Sequence, residues 1–313
     1  MGSDIGTVSV IGCGVIGASW ASYFLAHGLE VHASDPAPGA EARLRERIAA
    51  HWPVLERLGL AEGASPERLV WHGEAGAAAA AAPFVLENGP ERLDLKRALF
   101  QALDQATPPE TILASSSSTL MPSEYQALCR HPGRVVLAHP FNPPHLIPLV
   151  EVVGGRDTDE AAIARTVAFL HGIGKKPIRL RREIRGHIAN RLQAALWQEA
   201  FALVEEGVAS VADIDTAIAH GPGLRWALLG PFLNLHLSGG AGGLAHVLAH
   251  LGPPTEAMWR DLRPVHLSPA LAARVVAGVQ AELAAGDEAA MVEARDEVLQ
   301  QLLRLKAAHP HLP

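Results

Sequence analysis

The chain has 313 residues, of which 49% are hydrophobic and 19% are charged, and its formal net charge is −7. This length allows two domains and a sizeable core, and the composition is typical of a folded globular protein rather than a disordered one. Because the 26 lysine and arginine residues are scattered through an acidic chain, we expect binding neither to nucleic acid nor to an anionic membrane.

Cysteine usage and the N-terminal sequence bear on the cellular compartment. Two cysteines, Cys13 and Cys129, are too few for a disulfide framework, and no Cys/His spacing resembles a zinc site, so we expect no metal. The N-terminus lacks a basic segment followed by an apolar one, which argues against a signal peptide. The Ala-rich run at 76–86 is too short to span a bilayer. We therefore expect a cytoplasmic protein.

The first motif is a glycine-rich loop that directly follows a short β-branched run at 7–11 and precedes a helical pattern. Its sequence matches G-x-G-x-x-G. In a dinucleotide-binding loop the first glycine permits a tight turn, the second lets the backbone approach a pyrophosphate, and the third lets the helix pack against the sheet. The helix N-terminus then faces the phosphates. The residues predicted to form this loop are Gly12, Gly14, Val15, Ile16 and Gly17.

An acidic residue follows the next predicted strand. The segment 29–34 ends at Asp35, about 20 residues beyond the glycines, where a carboxylate binds the ribose hydroxyls of NAD. Such a carboxylate repels the 2′-phosphate of NADP, and no arginine occurs at 36–39 to accept that phosphate. The sequence therefore predicts NAD as cofactor; the alternative is a glycine-rich turn without a ligand.

The order of predicted elements indicates two domains. Strand and helix patterns alternate as far as a strand at 177–180, whereas from Gly186 onward the pattern has helical period and is broken by Gly/Pro pairs. Alternating elements form doubly wound, mostly parallel sheets. We predict an α/β Rossmann domain at 1–184 that binds NAD, followed by an all-α domain at 185–313.

The stretch 138–153 carries the strongest catalytic signal. His139 stands beside a stiff turn, because the two prolines at 143–144 fix φ and disfavour helix. Glu151 interrupts an apolar strand-like run, and a buried carboxylate needs a partner. A glutamate can orient an imidazole and stabilise its imidazolium form, so we interpret His139 as a general base and Glu151 as its partner. A core histidine and a strand-edge glutamate are the alternative interpretation.

Two further polar positions are candidates for the site. Hydroxyl side chains at 115–119 follow a predicted strand, and ligands bind at the carboxyl ends of parallel strands. A solvated serine-rich loop is the alternative. Asn190 is a polar residue on an otherwise apolar helix face, where a helix N-cap or a solvent-facing amide is equally consistent.

Taken together, these motifs resemble the L-3-hydroxyacyl-CoA dehydrogenase superfamily over about three quarters of the chain. The motifs that carry the resemblance are GCGVIG at 12–17, Asp35, ASSSSTL at 114–120, HPFNPP at 139–144, LVEVV at 149–153 and GHIANRL at 186–192. The resemblance implies that His139 and Glu151 form the catalytic pair and that Ser118 and Asn142 hold the substrate oxygen. It also implies that Asn190 completes the site, that Glu91 and Lys96 contact NAD, and that the helical domain forms a homodimer.

The C-terminal part departs from the acyl-CoA enzymes, which typically close with a Lys-Thr-Gly…Gly-Phe-Tyr segment that is absent here. GPGLRWA at 221–227 and GGLAH at 242–246 resemble instead the branch that contains L-carnitine dehydrogenase and L-gulonate 3-dehydrogenase (lambda-crystallin). DPAPGA at 35–40 favours the carnitine enzyme, and NRLQ at 190–193 favours the gulonate enzyme. The expected reaction is oxidation of a small L-3-hydroxy acid to the 3-oxo acid.

Two side chains are candidates for anchoring such a substrate away from its reacting carbon. Arg225 offers a guanidinium for a carboxylate, and Trp226 offers a ring face for a quaternary ammonium, although a core role is equally consistent for the tryptophan. The alternative activity is that of a 3-hydroxybutyryl-CoA dehydrogenase. More remote alternatives are a non-catalytic, crystallin-like protein and an NAD-binding regulatory protein.

Overall fold

The structure is a computed structural model and describes residues 5–284 and 286–312. The chain divides into two compact units, Met1–Arg191 and Leu192–Pro313. The strands of the first unit are β1 (Thr7–Ile11), β2 (Glu30–Ser34), β3 (Leu69–Trp71), β4 (Phe84–Glu87), β5 (Ile112–Ser115), β6 (Val135–Pro140), β7 (Leu149–Gly154) and β8 (Lys176–Arg179). Its helices are α1 (Val15–Ala26), α2 (Ala40–Leu58), α3 (Ala75–Ala80), α4 (Leu93–Ala106), α5 (Pro122–Tyr125) and α6 (Glu160–Gly172).

The eight strands form one sheet in the order β3-β2-β1-β4-β5-β6-β7-β8. Neighbouring strands are parallel except β6 and β7, which are antiparallel. The strand order reverses between β1 and β4, and in such sheets ligands bind outside the carboxyl ends of the strands at this switch point. Because β7 runs the other way, its first residues lie at the same edge as the last residues of β6. The predicted doubly wound, mostly parallel fold is confirmed.

Both faces of the sheet are covered by helices, as the apolar strands require. Successive strand residues alternate between two apolar layers. Val10 and Leu86 belong to the layer that contains residues of α1, α2 and α6, whereas Ile11 and Val85 belong to the layer that contains residues of α3, α4 and α5. The sheet, packed on both faces, therefore supports the loops at its carboxyl edge.

The second unit is helical, as the loss of strand pattern after residue 186 predicts. Helix α7 (Ala189–Glu205) begins in the first unit and continues into the second. The remaining helices are α8 (Val211–His220), α9 (Pro222–Trp226), α10 (Pro231–Ser238), α11 (Gly243–Asp261), α12 (Pro269–Leu283) and α13 (Glu288–Ala308). Within the described residues, no helix has both the length and the apolar character needed to cross a membrane.

A buried lysine anchors the turn that joins β6 to β7. Lys175 is 2% exposed, and its Nζ donates hydrogen bonds to the carbonyl oxygens of Pro144 and Ile147. The same Nζ lies 3.6 Å from the ring centroid of Tyr23 on α1. Burial lowers the pKa of Lys175 to about 7, although the two carbonyls and the aromatic face favour the ammonium form. The turn is thus tied to α1, the helix that begins at the glycine-rich loop.

The lowered pKa of Lys175 makes stability depend on pH. Between pH 7 and the ordinary lysine pKa of about 10.4, the unfolded chain binds more protons at this site, so stability rises with pH. From pH 7 to pH 9, Lys175 should raise the free energy of unfolding of the wild type by about 2 kcal/mol, as measured by urea denaturation. Lys175→Met should abolish this rise, because methionine does not titrate. Lys176→Met, which changes the exposed neighbour, should keep the wild-type pH dependence. Parallel curves for wild type and Lys175→Met would contradict this role.

Candidate active site

The glycine-rich loop leaves room only where a pyrophosphate needs it. A Cβ on Gly12, whose φ is +86°, would lie 2.8 Å from the carbonyl of Asn88, and one on Gly17 would lie 1.9 Å from the oxygen of Gly12. A Cβ on Gly14 would meet nothing within 4 Å. The first and third glycines are therefore required by close packing, and the second opens the loop surface beside Val15, the 60% exposed first residue of α1. Ile16 packs against the core. The cradle fits a dinucleotide.

Asp35 lies at the carboxyl end of β2 and is joined to this loop. Its Oδ2 accepts a hydrogen bond from the backbone N–H of Cys13 at 2.7 Å, and its Oδ1 accepts one from Ala37 at 2.8 Å. A carboxylate has about four acceptor positions, so each oxygen retains capacity for a ribose hydroxyl. The geometry is compatible with the predicted contact to NAD.

Glu91 organises the serine-rich loop after β5. Its Oε1 accepts hydrogen bonds from Ser117 Oγ at 2.6 Å and from the backbone N–H groups of Thr119 and Leu120 at 2.7 and 3.1 Å. Burial opposes the ionisation of Glu91, but these hydrogen bonds outweigh it and hold the pKa of Glu91 below its ordinary value. The half-buried Ser118 lies within the segment that this carboxylate fixes.

Lys96 has a different environment from the one expected of a residue that touches a cofactor. It is 1% exposed, and its Nζ donates to the two oxygens of Glu87 at 2.6 and 2.7 Å. Glu87 also accepts from Ser115 Oγ at 2.7 Å and from the backbone N–H of Gly89 at 2.7 Å. This buried ion pair joins α4 to β4, and Ser115 adds β5 to the cluster, so that Lys96 is enclosed rather than exposed to solvent.

His139 and Glu151 face each other across the antiparallel pair β6 and β7. His139 Nδ1 lies 2.9 Å from Glu151 Oε2. A carboxylate can only accept, so Nδ1 carries the proton and Nε2 of the neutral ring has the lone pair. The structure thus brings together the two residues that the sequence pattern singles out, and it orients the imidazole with Nε2 as the basic nitrogen.

The other oxygen of Glu151 caps a helix. Oε1 accepts hydrogen bonds from the backbone N–H groups of Ile188 and Ala189, at 2.8 and 3.0 Å, where α7 begins. Glu151 is fully buried, which opposes its ionisation, but the hydrogen bonds from His139 and from the two N–H groups hold its pKa below the ordinary value. The helix N-terminus adds a favourable dipole. Glu151 is therefore an anion held from both sides.

Of the three remaining predicted residues of the site, Ser118 and Asn142 lie on separate loops and Asn190 lies at the start of α7. Asn190 Nδ2 donates a long hydrogen bond of 3.5 Å to the carbonyl oxygen of Ser118. Asn142 is exposed on the turn directly after β6, next to Phe141, whose ring lies 5.4 Å from that of His139 in an edge-to-face arrangement. Ser118 and Asn190 are thus brought together, and Asn142 lies on the turn that follows His139.

Sequence reasoning missed one residue of this cluster, His187. It is 1% exposed, and its ring centroid lies 5.1 Å from that of His139. Its Nε2 is 3.3 Å from the carbonyl oxygen of Ser117. A polar residue in the apolar run between Gly186 and Asn190 was the available signal.

The candidate substrate anchors Arg225 and Trp226 lie in the second unit, on the short helix α9. Trp226 is 46% exposed. The role of both toward a substrate remains a prediction. Among the residues that the structure describes, no group of three or more His, Cys, Asp or Glu side chains could hold a metal ion.

A doubly wound sheet with a dinucleotide-binding loop at its switch point, and a histidine–carboxylate pair at the same edge, defines a nicotinamide-dependent dehydrogenase. The chain belongs to the 3-hydroxyacyl-CoA dehydrogenase family: the NAD binding domain of that family matches residues 7–184, and its C-terminal domain matches residues 186–272. The protein is accordingly an NAD-dependent dehydrogenase that acts on a CH–OH group.

Two relatives with assigned names cover nearly the whole chain. It is 49% identical to L-carnitine dehydrogenase of Streptomyces griseus, over 98% of this chain and 92% of that protein. It is 46% identical to L-carnitine dehydrogenase of Bacillus cereus, over 97% of this chain and 93% of that protein. Among solved structures it is similar to 5-formyl-3-hydroxy-2-methylpyridine 4-carboxylic acid 5-dehydrogenase, with a TM-score of 0.84, 27% identity and coverage of 97% of this chain and 99% of that one.

The unequal space around the loop glycines gives a direct test of the nucleotide site. Gly14→Ala should leave stability within about 0.5 kcal/mol of wild type yet weaken NAD binding by roughly tenfold or more, because the new methyl group occupies the open surface. Gly17→Ala should destabilise the fold by at least about 1–3 kcal/mol through overpacking.

Thermal unfolding and NAD titration by fluorescence measure the two effects. Gly6→Ala is the control, since a Cβ there also meets nothing within 4 Å but lies before β1. Unchanged NAD affinity in Gly14→Ala would refute the assignment of this loop.

Proposed function

We propose that this protein oxidises the 3-hydroxyl group of a small L-3-hydroxy acid to the 3-oxo acid with NAD, and that L-carnitine is the substrate. The observation that carries the proposal is the His139–Glu151 pair, whose Nδ1 and Oε2 atoms lie 2.9 Å apart at the same edge of the sheet as the glycine-rich loop. The name of the substrate is supported by the two L-carnitine dehydrogenases that are 49% and 46% identical over almost the whole chain.

His139 is the general base. Its Nε2 takes the proton of the substrate hydroxyl as the alcohol is oxidised, and the resulting imidazolium keeps its Nδ1–H bond to Glu151. Bound NAD supplies the hydride acceptor. The anionic form of Glu151 stabilises the positive charge that develops on His139. In the reverse direction the same imidazolium returns the proton.

The surrounding loops orient the reactants. Ser118 and Asn142 donate to the substrate oxygen, which gains negative charge in the transition state, and Asn190 completes the site. The residues that hold the cofactor are Gly12, Gly14, Val15, Ile16, Gly17 and Asp35. Glu91 contributes through the serine-rich loop that it fixes, and Lys96 contributes indirectly, through its buried ion pair with Glu87.

The finer features of the protein belong to the same proposal. Residues 1–184 form the NAD-binding domain, and residues 185–313 form the helical domain for substrate binding and dimerisation. Arg225 binds the carboxylate of the substrate, and Trp226 faces its quaternary ammonium.

Large exposed apolar side chains in the second unit support a homodimer, because monomers rarely expose such groups together. Examples are Phe232, which is 73% exposed, Trp259 at 66% and Leu237 at 65%. The protein acts in the cytoplasm.

The experiment that tests this function measures NADH formation at 340 nm from NAD with four candidate substrates. These are L-carnitine, L-gulonate, 3-hydroxybutyrate and 3-hydroxybutyryl-CoA. We expect the highest kcat/KM with L-carnitine and little or no turnover of the thioester. A higher kcat/KM with L-gulonate would replace the substrate but keep the reaction, and turnover of the CoA ester alone would refute the free-acid proposal.

Substitution of the base separates chemistry from binding. His139→Ala should lower kcat by about 10²–10⁴ while the Kd for NAD stays near the wild-type value, because only proton transfer is lost. Glu151→Gln keeps an acceptor for the N–H groups of α7 but removes the negative charge, and it should also lower kcat. His171→Ala, at the exposed end of α6, is the control histidine. Near-full turnover in His139→Ala would eliminate it as the base.

A further inference from the structure

His187 is held in a backbone conformation that histidine adopts rarely. Its φ is +51°, and it follows Gly186, whose φ is +74°. A residue with a side chain in this left-handed region carries a cost on the order of 1 kcal/mol. The backbone N–H of His187 donates to the carbonyl of Ile184 at 3.0 Å, which fixes the turn just before α7. The strain is maintained by this surrounding structure.

The side chain of His187 carries a second cost. Nε2 donates a hydrogen bond to the carbonyl oxygen of Ser117, so the proton lies on Nε2. Nδ1 is buried and has no hydrogen-bond partner among the described residues. An unsatisfied buried acceptor costs about 1–3 kcal/mol, a cost that an apolar ring of similar size would avoid. Strain and an orphaned nitrogen in the same residue, within a candidate site, indicate function rather than packing.

The contacts of His187 connect the separate parts of the site. Its ring stands at 45° to that of His139, and its Nε2–H holds the residue that precedes Ser118. The next two residues, Ile188 and Ala189, donate to Glu151. A single turn therefore fixes the base, the carboxylate and the serine-rich loop.

The charges that act on His187 come from three other elements. Burial and the charge of His139 on β6 lower the pKa of His187, and these influences outweigh Glu151 on β7 and Glu91 before α4, which raise it. The ring is accordingly neutral in the resting site. A proton on His187 would place a second cation beside the imidazolium that His139 becomes during turnover, and it would oppose that step.

We propose that His187 is a positioning residue for the reaction, which orients His139 and the Ser118 loop and must remain uncharged for the base to work. This inference rests on the proposed function for its kinetic consequence. The acid side of the pH profile then reports two histidines, because protonation of either one stops turnover. The conservative replacement is His187→Gln, whose Nε2–H can reach the Ser117 carbonyl but does not titrate. His187→Phe keeps the ring volume and removes the donor.

The kinetic test follows log(kcat/KM) against pH for the best hydroxy acid substrate. Wild type should approach a slope of 2 on the acid side, whereas both variants should show a slope of 1. His187→Gln should retain the wild-type plateau within about tenfold, and His187→Phe should lose roughly 10- to 100-fold in kcat, which corresponds to the loss of one orienting hydrogen bond. The same slope in wild type and His187→Gln would overturn the proposal, since a merely structural histidine would leave the slope unchanged.

A second measurement needs no substrate, so it distinguishes failure of this inference from failure of the proposed function. In protein with ¹⁵N-labelled histidines, the His187 resonances are those that disappear in His187→Gln. We expect the neutral Nε2–H form at pH 7, with protonation below the ordinary histidine pKa of about 6.5. A charged ring or the Nδ1–H form at pH 7 would refute the proposal even if L-carnitine is oxidised.

Discussion

The site depends on the hydrogen bonds that hold the buried carboxylate of Glu151. A fully buried anion is unfavourable unless every part of it is compensated. Here one oxygen accepts from His139 and the other accepts from two N–H groups at the start of α7. The same charge therefore fixes the tautomer of His139 and satisfies the first donors of a 17-residue helix. Loss of that charge would disturb the imidazole and the turn before α7 together.

Sheet topology explains why such a pair can form. In an all-parallel sheet, a residue near the start of the strand after β6 would lie at the opposite edge. Because β7 runs antiparallel, the pairing register brings Glu151 opposite His139, twelve positions away in the sequence. The intervening turn is then secured by Lys175, which binds two of its carbonyls and lies against Tyr23 of α1. The position of His139 is thus coupled to the helix that begins at the glycine-rich loop.

The fold and the His139–Glu151 contact could be predicted from the sequence because their signals are local. Strand, glycine loop and acid occur within the first 35 residues, and a glutamate in an apolar strand demands a partner wherever it lies. The burial of Lys96 and the position of His187 could not be predicted in this way. Lys96 has a buried partner on β4, and the left-handed conformation of His187 depends on packing around it, so neither environment follows from nearby residues.

The opposing influences on the pair decide where the proton resides. Burial alone would favour a protonated Glu151, and a carboxylic acid beside a neutral imidazole would leave no charge to stabilise the developing imidazolium. The two N–H groups at the start of α7 oppose this, because they bind the anion more strongly than the acid and so help to hold the pKa of Glu151 low. In the proposed reaction, the proton taken from the substrate therefore stays on His139. If His187 stays uncharged beside it, as we propose, only one of the two neighbouring rings becomes a cation.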